Sequence, residues 1–248
     1  MVTSPTLAVY AGLQQAYDHF NQALFGGQLS PCLITLRSSP RTYGYHHKDR
    51  FINRQGQLID ELGLHPGFFT LRPVEEVLAT LVHEMVHHWQ DAFGQPSKST
   101  PHNRQWAGKM RSIGLEPSST GLPQGKATGQ TVSHYILPDG PYIQACRALL
   151  QQGFALHWFD RHVPRGGGEE AERRQALAEA GVVVDVSAHP LEEIPAPANG
   201  KSIVVNPPMK TAPERLKFVC LACGTKAWAA PEVLLLCGTC HAAMQAAG

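Results

Sequence analysis

Two histidines and a glutamate within five residues form the part of this sequence best suited to chemistry. His83 and His87 are four residues apart, and Glu84 directly follows the first histidine. Residues four apart on an α-helix lie on one face, about one turn from each other, so both imidazoles can reach one ion. Glu84 can then accept a proton from a metal-bound water, because the ion lowers the pKa of that water. The pattern predicts zinc-assisted hydrolysis.

The flanking sequence predicts the helix that this spacing requires. Apolar residues recur at three- and four-residue intervals, at Val77, Leu78, Leu81, Val82, Met85 and Trp89. Pro73, Glu75 and Glu76 suit a first helical turn, and Gly94 suits the end of the helix. His88 lies about 100° around the helix from His87, so we expect it to face solvent or outer groups and not the ion.

A catalytic zinc ion needs a third protein ligand and an open position for water. One common pattern places that ligand six residues after the second histidine, but Gln90 and Phe93 stand where glycine and histidine would be required. His102 is the favoured third ligand, since it opens a second helix-like run after a loop rich in Gly, Pro and Ser. Glu116 and His134 are the alternatives.

A second metal-binding pattern lies near the end of the sequence. Cys220 and Cys223 form one pair with two intervening residues, and Cys237 and Cys240 form another. Four thiolates close a tetrahedral zinc site and leave no open position, so this ion would be structural. Disulfides and a redox dithiol are the competing interpretations, and a reducing compartment disfavours both.

Several other side chains have a chemical and a packing interpretation. Four residues have two interpretations, either stabilising an oxyanion or simply lining a cleft, namely Tyr43, Tyr45, His46 and His47. Base stacking competes with core packing, which the helical spacing favours, for Trp89 and Trp106. Burial as small apolar groups is the expectation for Cys32 and Cys146.

At this point the sequence resembles a known family. The resemblance rests on an ordered series of motifs in segments 13–21, 24–29, 43–45, 80–87 and 101–102. Together they resemble the SprT-like domain, whose members include the bacterial SprT proteins and the eukaryotic Spartan protease. The resemblance implies a zincin-type fold with His83, His87 and His102 as zinc ligands and Glu84 as general base. The tail with four cysteines resembles the zinc ribbon that SprT-like proteins often carry.

The resemblance also adds a substrate class. Spartan-type members are DNA-dependent proteases that cut proteins crosslinked to DNA, which implies protein substrates and makes DNA, single-stranded or protein-crosslinked, a possible partner. The overall charge does not support DNA binding, because the chain has 21 basic and 20 acidic side chains. Basic residues outnumber acidic ones near the ribbon, which is compatible with a local nucleic-acid patch and equally with an ordinary solvated surface; they are Lys201, Lys210, Arg215, Lys217 and Lys226.

The expected fold is α+β, with a zincin-type core and a small zinc ribbon built on four cysteines. We expect a metallopeptidase domain at 1–135, an accessory α/β segment with a Pro-rich linker at 136–212, and the ribbon at 213–248. Helices are expected at 7–25, 141–152 and 169–180, strands at 33–37, 41–46, 154–160 and 182–186, and a loop at 51–62 that enters another strand.

The sequence shows neither a signal peptide nor a transmembrane segment, so we expect a cytoplasmic protein without a membrane partner. The leading hypothesis is a zinc metallopeptidase with one catalytic and one structural zinc. One alternative is a DNA- or protein-binding module that keeps a zincin shell with little turnover. Another is a narrow peptidase without any connection to DNA.

Overall fold

A computed structural model describes residues 4–38, 42–164, 167–206 and 215–247. Helices and short strands follow one another in groups along the chain. The helices are α1 (Pro5–Phe25), α2 (Val74–Phe93), α3 (Arg104–Ser112), α4 (Pro141–Gln151), α5 (Gly167–Glu179) and α6 (Pro190–Glu193). The strands are β1 (Leu33–Leu36), β2 (Gly44–Ile52), β3 (Leu58–Leu64), β4 (Leu115–Ser118), β5 (Ser133–Ile136), β6 (Leu216–Val219), β7 (Lys226–Ala229) and β8 (Gln245–Ala247). The expected α+β class is confirmed.

The contacts divide the chain into two units, 1–206 and 207–248. In the first unit, β3 lies between β1 and β2, parallel to β1 and antiparallel to β2, and β4 pairs with β5. In the second unit, β6 lies between β7 and β8 with antiparallel pairing on both sides. The finer division of residues 1–206 at position 135 stays a prediction.

The central helix α2 is buried along almost its whole length. It packs against β2, β3, α1, α3 and α4, and its apolar side chains form the middle of one hydrophobic core. Glu75 and Glu76 lie in its first turn, where negative charge is favourable. Gly94 follows its last residue, as the sequence predicted. The position of the metal-binding pattern is therefore fixed by core packing.

The loop expected at 51–62 is shorter than predicted, being the turn of a β-hairpin at 53–57, and it enters a strand as expected. Strand β2 continues to Ile52, and β3 begins at Leu58. The turn between them is stabilised by Asn53, whose side-chain oxygen accepts hydrogen bonds from the backbone N–H groups of Gln55 and Gln57. Gly56 supplies the positive φ of 81° that the turn needs.

Two expected strands, at 154–160 and 182–186, are absent from the strands of the described residues. Both segments contribute apolar side chains to the core, including Phe154 and Val184. Neither segment is paired with any of the described strands in a β-ladder, and apolar character alone does not make a strand. The helix expected at 169–180 is present as α5.

Among the residues that the structure describes, none of the helices combines the length and the apolar character that a membrane span requires.

Replacing a buried residue of α1 tests the packing of the first unit. Leu13 is fully buried, whereas Leu7 on the same helix is 65% exposed. We expect Leu13→Ala to lower the free energy of unfolding by about 2–5 kcal/mol, and Leu7→Ala to change it by less than about 0.5 kcal/mol. Urea unfolding followed by circular dichroism measures both. Equal effects of the two substitutions would contradict the packing described for α1.

Candidate metal centre

Three imidazoles meet at the middle of α2. His83 and His87 lie one turn apart, and His102 approaches them from the start of α3, with one ring nitrogen from each residue within 4.8 Å of the others. The ring centroid of His102 lies 5.4 Å from that of His83 and 4.8 Å from that of His87. Three converging imidazoles form a donor set that suits a catalytic zinc.

His102 is held in place by the residue that follows it. Asn103 caps α3, because its side-chain oxygen accepts hydrogen bonds from the backbone N–H groups of Gln105 and Trp106. Gln90 of α2 donates to the same oxygen at 2.7 Å, which links the two helices. The Nδ1 of His102 lies 3.2 Å from the carbonyl oxygen of Gly129. Donation from Nδ1 to this carbonyl leaves Nε2 for a metal.

Trp106 forms one wall of the site. Its ring lies 4.8 Å from His83, 5.2 Å from His87 and 4.5 Å from His102, measured between ring centroids. The side chain is fully buried. Core packing is therefore its role, and the base-stacking interpretation is wrong for this residue.

The protonation of the three histidines also fits a metal. Burial lowers the pKa of His83 well below its usual value, and the neighbouring imidazoles lower it further. Burial lowers the pKa of His87 to about 3 and also lowers the pKa of His102. The imidazoles are therefore neutral at pH 7, which is the form that binds a metal. The residues present fit a zinc ion.

Of the two alternative third ligands, His134 lies beside the site and Glu116 does not. The Nδ1 atoms of His134 and His83 are 3.0 Å apart, so one donates to the other. Glu116 is engaged by Arg111 at 2.8 Å. The Nε2 of His134 is buried and has no hydrogen-bond partner within the described residues. The geometry therefore assigns His134 a position behind His83.

Glu84 lies on the same helix and is also buried. Burial raises the pKa of its carboxyl to about 8. Gly44 of β2 lies against it, because a Cβ at this position would come within 3.0 Å of Glu84 Oε1 and 2.9 Å of Thr80 Cγ2. A glycine is therefore needed where β2 passes the carboxylate. In the sequence, the glycine between Tyr43 and Tyr45 was the feature that could have indicated this close approach.

A cleft of about 810 Å³ opens beside these groups, and its walls include His83, Glu84, His87 and His102. Tyr43, Tyr45 and His46 also line it, but their polar groups are already engaged. The Tyr43 hydroxyl donates to Glu170, and the Tyr45 hydroxyl donates to Glu61 at 3.0 Å. His47 is exposed and stands outside the cleft lining. None of these is a free donor for an oxyanion.

His88 was expected to face solvent or outer groups and not the ion, and the structure shows the second of these alternatives. The side chain is almost fully buried. It turns away from His83 and His87 and contacts Asp60 and Ser30 instead.

The four cysteines of the second unit also converge. One sulfur from each of Cys220, Cys223, Cys237 and Cys240 lies within 4.8 Å of the others. Hydrogen bonds from Thr225 lower the pKa of Cys223 to about 6, whereas the hydrogen bond with Cys223 raises the pKa of Cys240 to about 12. Four converging sulfur atoms are the donor set of a structural zinc, so the geometry of the set fits that ion. Lys210 of the proposed basic patch lies outside the described residues.

The two remaining cysteines behave as expected. Cys32 and Cys146 are buried, and burial raises the pKa of each thiol to about 12. Such thiols are poor nucleophiles.

Comparison with known proteins agrees with this geometry. The model of the SprT-like family matches residues 13–127. A relative described as "Uncharacterized protein in mucB 3'region", from Salmonella typhimurium, is 50% identical over 62 residues, which cover 25% of this chain and 84% of that protein. The chain belongs to the SprT-like family. No solved structure matches it.

Membership in the SprT-like family confirms the resemblance seen in the sequence. The matched segment contains α2, the three histidines of the cluster and Glu84, and it ends before β5 and His134. The chain thus has the metallopeptidase-type fold of the SprT-like family, with groups in both units that could bind metal.

Removing the imidazole behind His83 tests its positioning role. We expect His134→Ala to weaken zinc binding at the histidine cluster by about 10–100-fold, because a metal-ligating histidine loses affinity without its hydrogen-bond partner. Ser133→Ala on the same strand is the matched control. Competition with a chromophoric chelator measures the affinity. Unchanged affinity in His134→Ala would mean that the contact with His83 does not support the metal.

Proposed function

We propose that this chain is a zinc-dependent peptidase in which His83, His87 and His102 bind the catalytic ion and Glu84 is the general base. The observation that carries the proposal is the convergence of three neutral imidazoles and a buried carboxylate at one cleft. Glu84 is outside the cluster of three ligands, so metal binding alone does not explain why a carboxyl group is buried beside it. A hydrolytic reaction requires such a group.

When bound, zinc would polarise the scissile carbonyl and lower the pKa of the attacking water. Glu84 accepts the proton of that water and donates it to the leaving amine. With a pKa of about 8, the Glu84 carboxyl is present in both protonation states near neutral pH, so it can accept the proton in the first step and donate it in the second. A zinc ion held by the three histidines would lower this pKa and favour the ionised form that accepts the proton.

His134 positions His83 in this scheme. If His83 binds zinc through Nε2, its Nδ1–H donates to Nδ1 of His134, which leaves the proton of His134 on Nε2. This contact fixes the tautomer and the orientation of His83.

The proposed substrates are proteins, including proteins bound or crosslinked to DNA. The ribbon supports recruitment of single-stranded DNA through one face of its sheet. Trp228 of β7 is 61% exposed and stands opposite Lys217 of β6, while Lys226 lies two residues before it on the same face. Exposed aromatic rings with neighbouring cations bind unpaired bases by stacking and charge.

The proposed location is the cytoplasm. The four cysteines of the ribbon must stay reduced to bind zinc, and a reducing compartment keeps them in that state.

Replacing the general base tests the peptidase. We expect Glu84→Gln to lower the cleavage rate by at least about 100-fold, since general-base catalysis contributes roughly that factor or more. Zinc content should not change, because Glu84 is not a ligand. Cleavage of a DNA-binding protein, with and without single-stranded DNA, is followed on gels. Wild-type and Glu84→Gln chains that are equally inert while zinc-loaded would instead favour the binding-module hypothesis.

Removing the exposed tryptophan tests recruitment by the ribbon. We expect Trp228→Ala to weaken binding of single-stranded DNA by about 1–3 kcal/mol, the range for one stacked base. Leu234→Ala is the matched control, because Leu234 is 99% exposed in the same unit and offers no aromatic face. Fluorescence anisotropy with a labelled oligonucleotide gives both affinities. Equal affinities for the two variants would support the peptidase without a DNA connection.

A further inference from the structure

A third cluster of metal-binding side chains lies beside the cleft and shares no residue with the first two. It joins His46 of β2, Asp60 of β3 and His88 of α2, whose donor atoms lie within 4.8 Å of one another. The Oδ2 atom of Asp60 lies 2.9 Å from His46 Nε2 and 2.6 Å from His88 Nδ1. All three side chains are at most 12% exposed.

The other ring nitrogens of these histidines also face acceptors. His46 Nδ1 lies 3.4 Å from Asp91 Oδ2, and His88 Nε2 lies 3.0 Å from the carbonyl oxygen of Ser30. A neutral imidazole has a single N–H, so it cannot donate to acceptors on both sides. Among the described residues, His88 alone has another hydrogen-bond partner that resolves this conflict, because the Ser30 hydroxyl lies 3.3 Å from Nε2 and can donate to it.

The charge balance of the cluster poses the same problem. Within the described parts of the chain, the ion-pair partners of Asp60 and Asp91 are all histidines. Among the described residues, these two largely buried carboxylates therefore have no lysine or arginine within ion-pairing distance. A cation between the side chains, either a proton on an imidazole or a metal ion, would compensate this charge.

We propose that His46 Nε2, Asp60 Oδ2 and His88 Nδ1 bind a divalent transition-metal ion. With the ion on these atoms, both remaining ring nitrogens carry hydrogens, and each faces the acceptor it needs. His46 Nδ1–H donates to Asp91, and His88 Nε2–H donates to the carbonyl of Ser30. A metal-ligating histidine almost always donates its other N–H to a carboxylate or a backbone carbonyl, and here both do.

The carboxylate is oriented in the same way. The second oxygen of Asp60, Oδ1, accepts a hydrogen bond from the backbone N–H of Asp49 at 2.8 Å, which leaves Oδ2 for the ion. Asp49 has a positive φ of 52° and lies where the pairing of β2 with β3 shifts in register between His47 and Phe51. This irregularity in β2 brings the N–H to the carboxylate.

The donor types indicate the class of ion. Imidazole and carboxylate together suit Zn²⁺, Mn²⁺, Fe²⁺, Co²⁺ or Ni²⁺, whereas Ca²⁺ and Mg²⁺ prefer oxygen ligands alone. Ligands at about 2.0–2.2 Å from an ion are roughly 3 Å apart when they meet at right angles, and the nitrogen-to-oxygen distances of 2.6 and 2.9 Å approach this separation. Three protein ligands leave positions for water.

Counting bound ions in the full chain tests the proposal. The protein is stripped with a chelator, saturated with Zn²⁺, freed of excess metal and measured by inductively coupled plasma mass spectrometry. We expect three ions per wild-type chain, one for each cluster, and two per chain in Asp60→Asn. Asp49→Asn is the matched control, since it removes the carboxylate of the β2 residue that contacts Asp60 but keeps its backbone N–H. It should retain three ions.

A second set of variants identifies which ion is lost. His83→Gln should also bind two ions, and His83→Gln combined with Asp60→Asn should bind one, because the two sites share no ligand. His46→Gln should repeat the loss if Asp60→Asn does not fold, as judged by circular dichroism. A wild-type count of two, or equal counts in wild type and Asp60→Asn, would overturn the proposal and leave a protonated imidazole as the cation. These counts do not depend on peptidase activity, so the two proposals fail separately.

Discussion

The burial of polar groups on α2 is the constraint on which the rest of the first unit depends. The helix passes through the core, yet it has several ionisable or amide side chains that are withdrawn from water, namely Glu75, Glu76, His83, Glu84, His88 and Gln90. A buried polar group without a partner costs free energy comparable to a lost hydrogen bond or more. Each turn of α2 therefore needs partners from elsewhere in the chain.

Those partners come from segments far apart in sequence. Glu75 accepts hydrogen bonds from the backbone and hydroxyl of Ser187, and Glu76 is paired with Arg173 of α5 at 2.6 Å. Gln90 reaches the cap of α3. The stretch after α4 is thus not an independent appendage, because its residues neutralise charges at the start of the central helix. The loop and helix that follow the family-matched segment complete the burial of α2.

Sequence reasoning found what local periodicity and spacing encode. The helix, its ends, the spacing of His83 and His87 and the start of α3 after His102 all follow from residues close together in the chain. Gly44 and His134 could not be assigned their contacts in this way, since each meets α2 through a strand that is distant in sequence. For His88 the helical angle correctly excluded the histidine cluster, but it left open whether the side chain meets solvent or other groups, because that depends on Asp60 and Ser30, which are distant in sequence.

The errors in the strands have the same cause. Residues 154–160 alternate like a strand and residues 182–186 have the composition of a buried one, but neither property provides the pairing partner that a ladder needs. The hairpin turn after β2 could have been recognised from Asn53 and Gly56, whose side-chain acceptor and positive φ are typical of turns. Pairing partners are a tertiary property, whereas turn chemistry is a local one.

Two candidate ion sites on one helix also constrain each other. His87 and His88 are neighbours in sequence but point in directions about 100° apart around the helix axis. One serves the histidine cluster, and the other reaches Asp60 on the sheet. Contacts in two directions fix the rotation of α2 about its axis. With a single cluster on one face, that rotation would depend on apolar packing alone. The polar groups buried on this helix therefore do more than satisfy hydrogen bonds, because they set the orientation in which Glu84 faces the cleft.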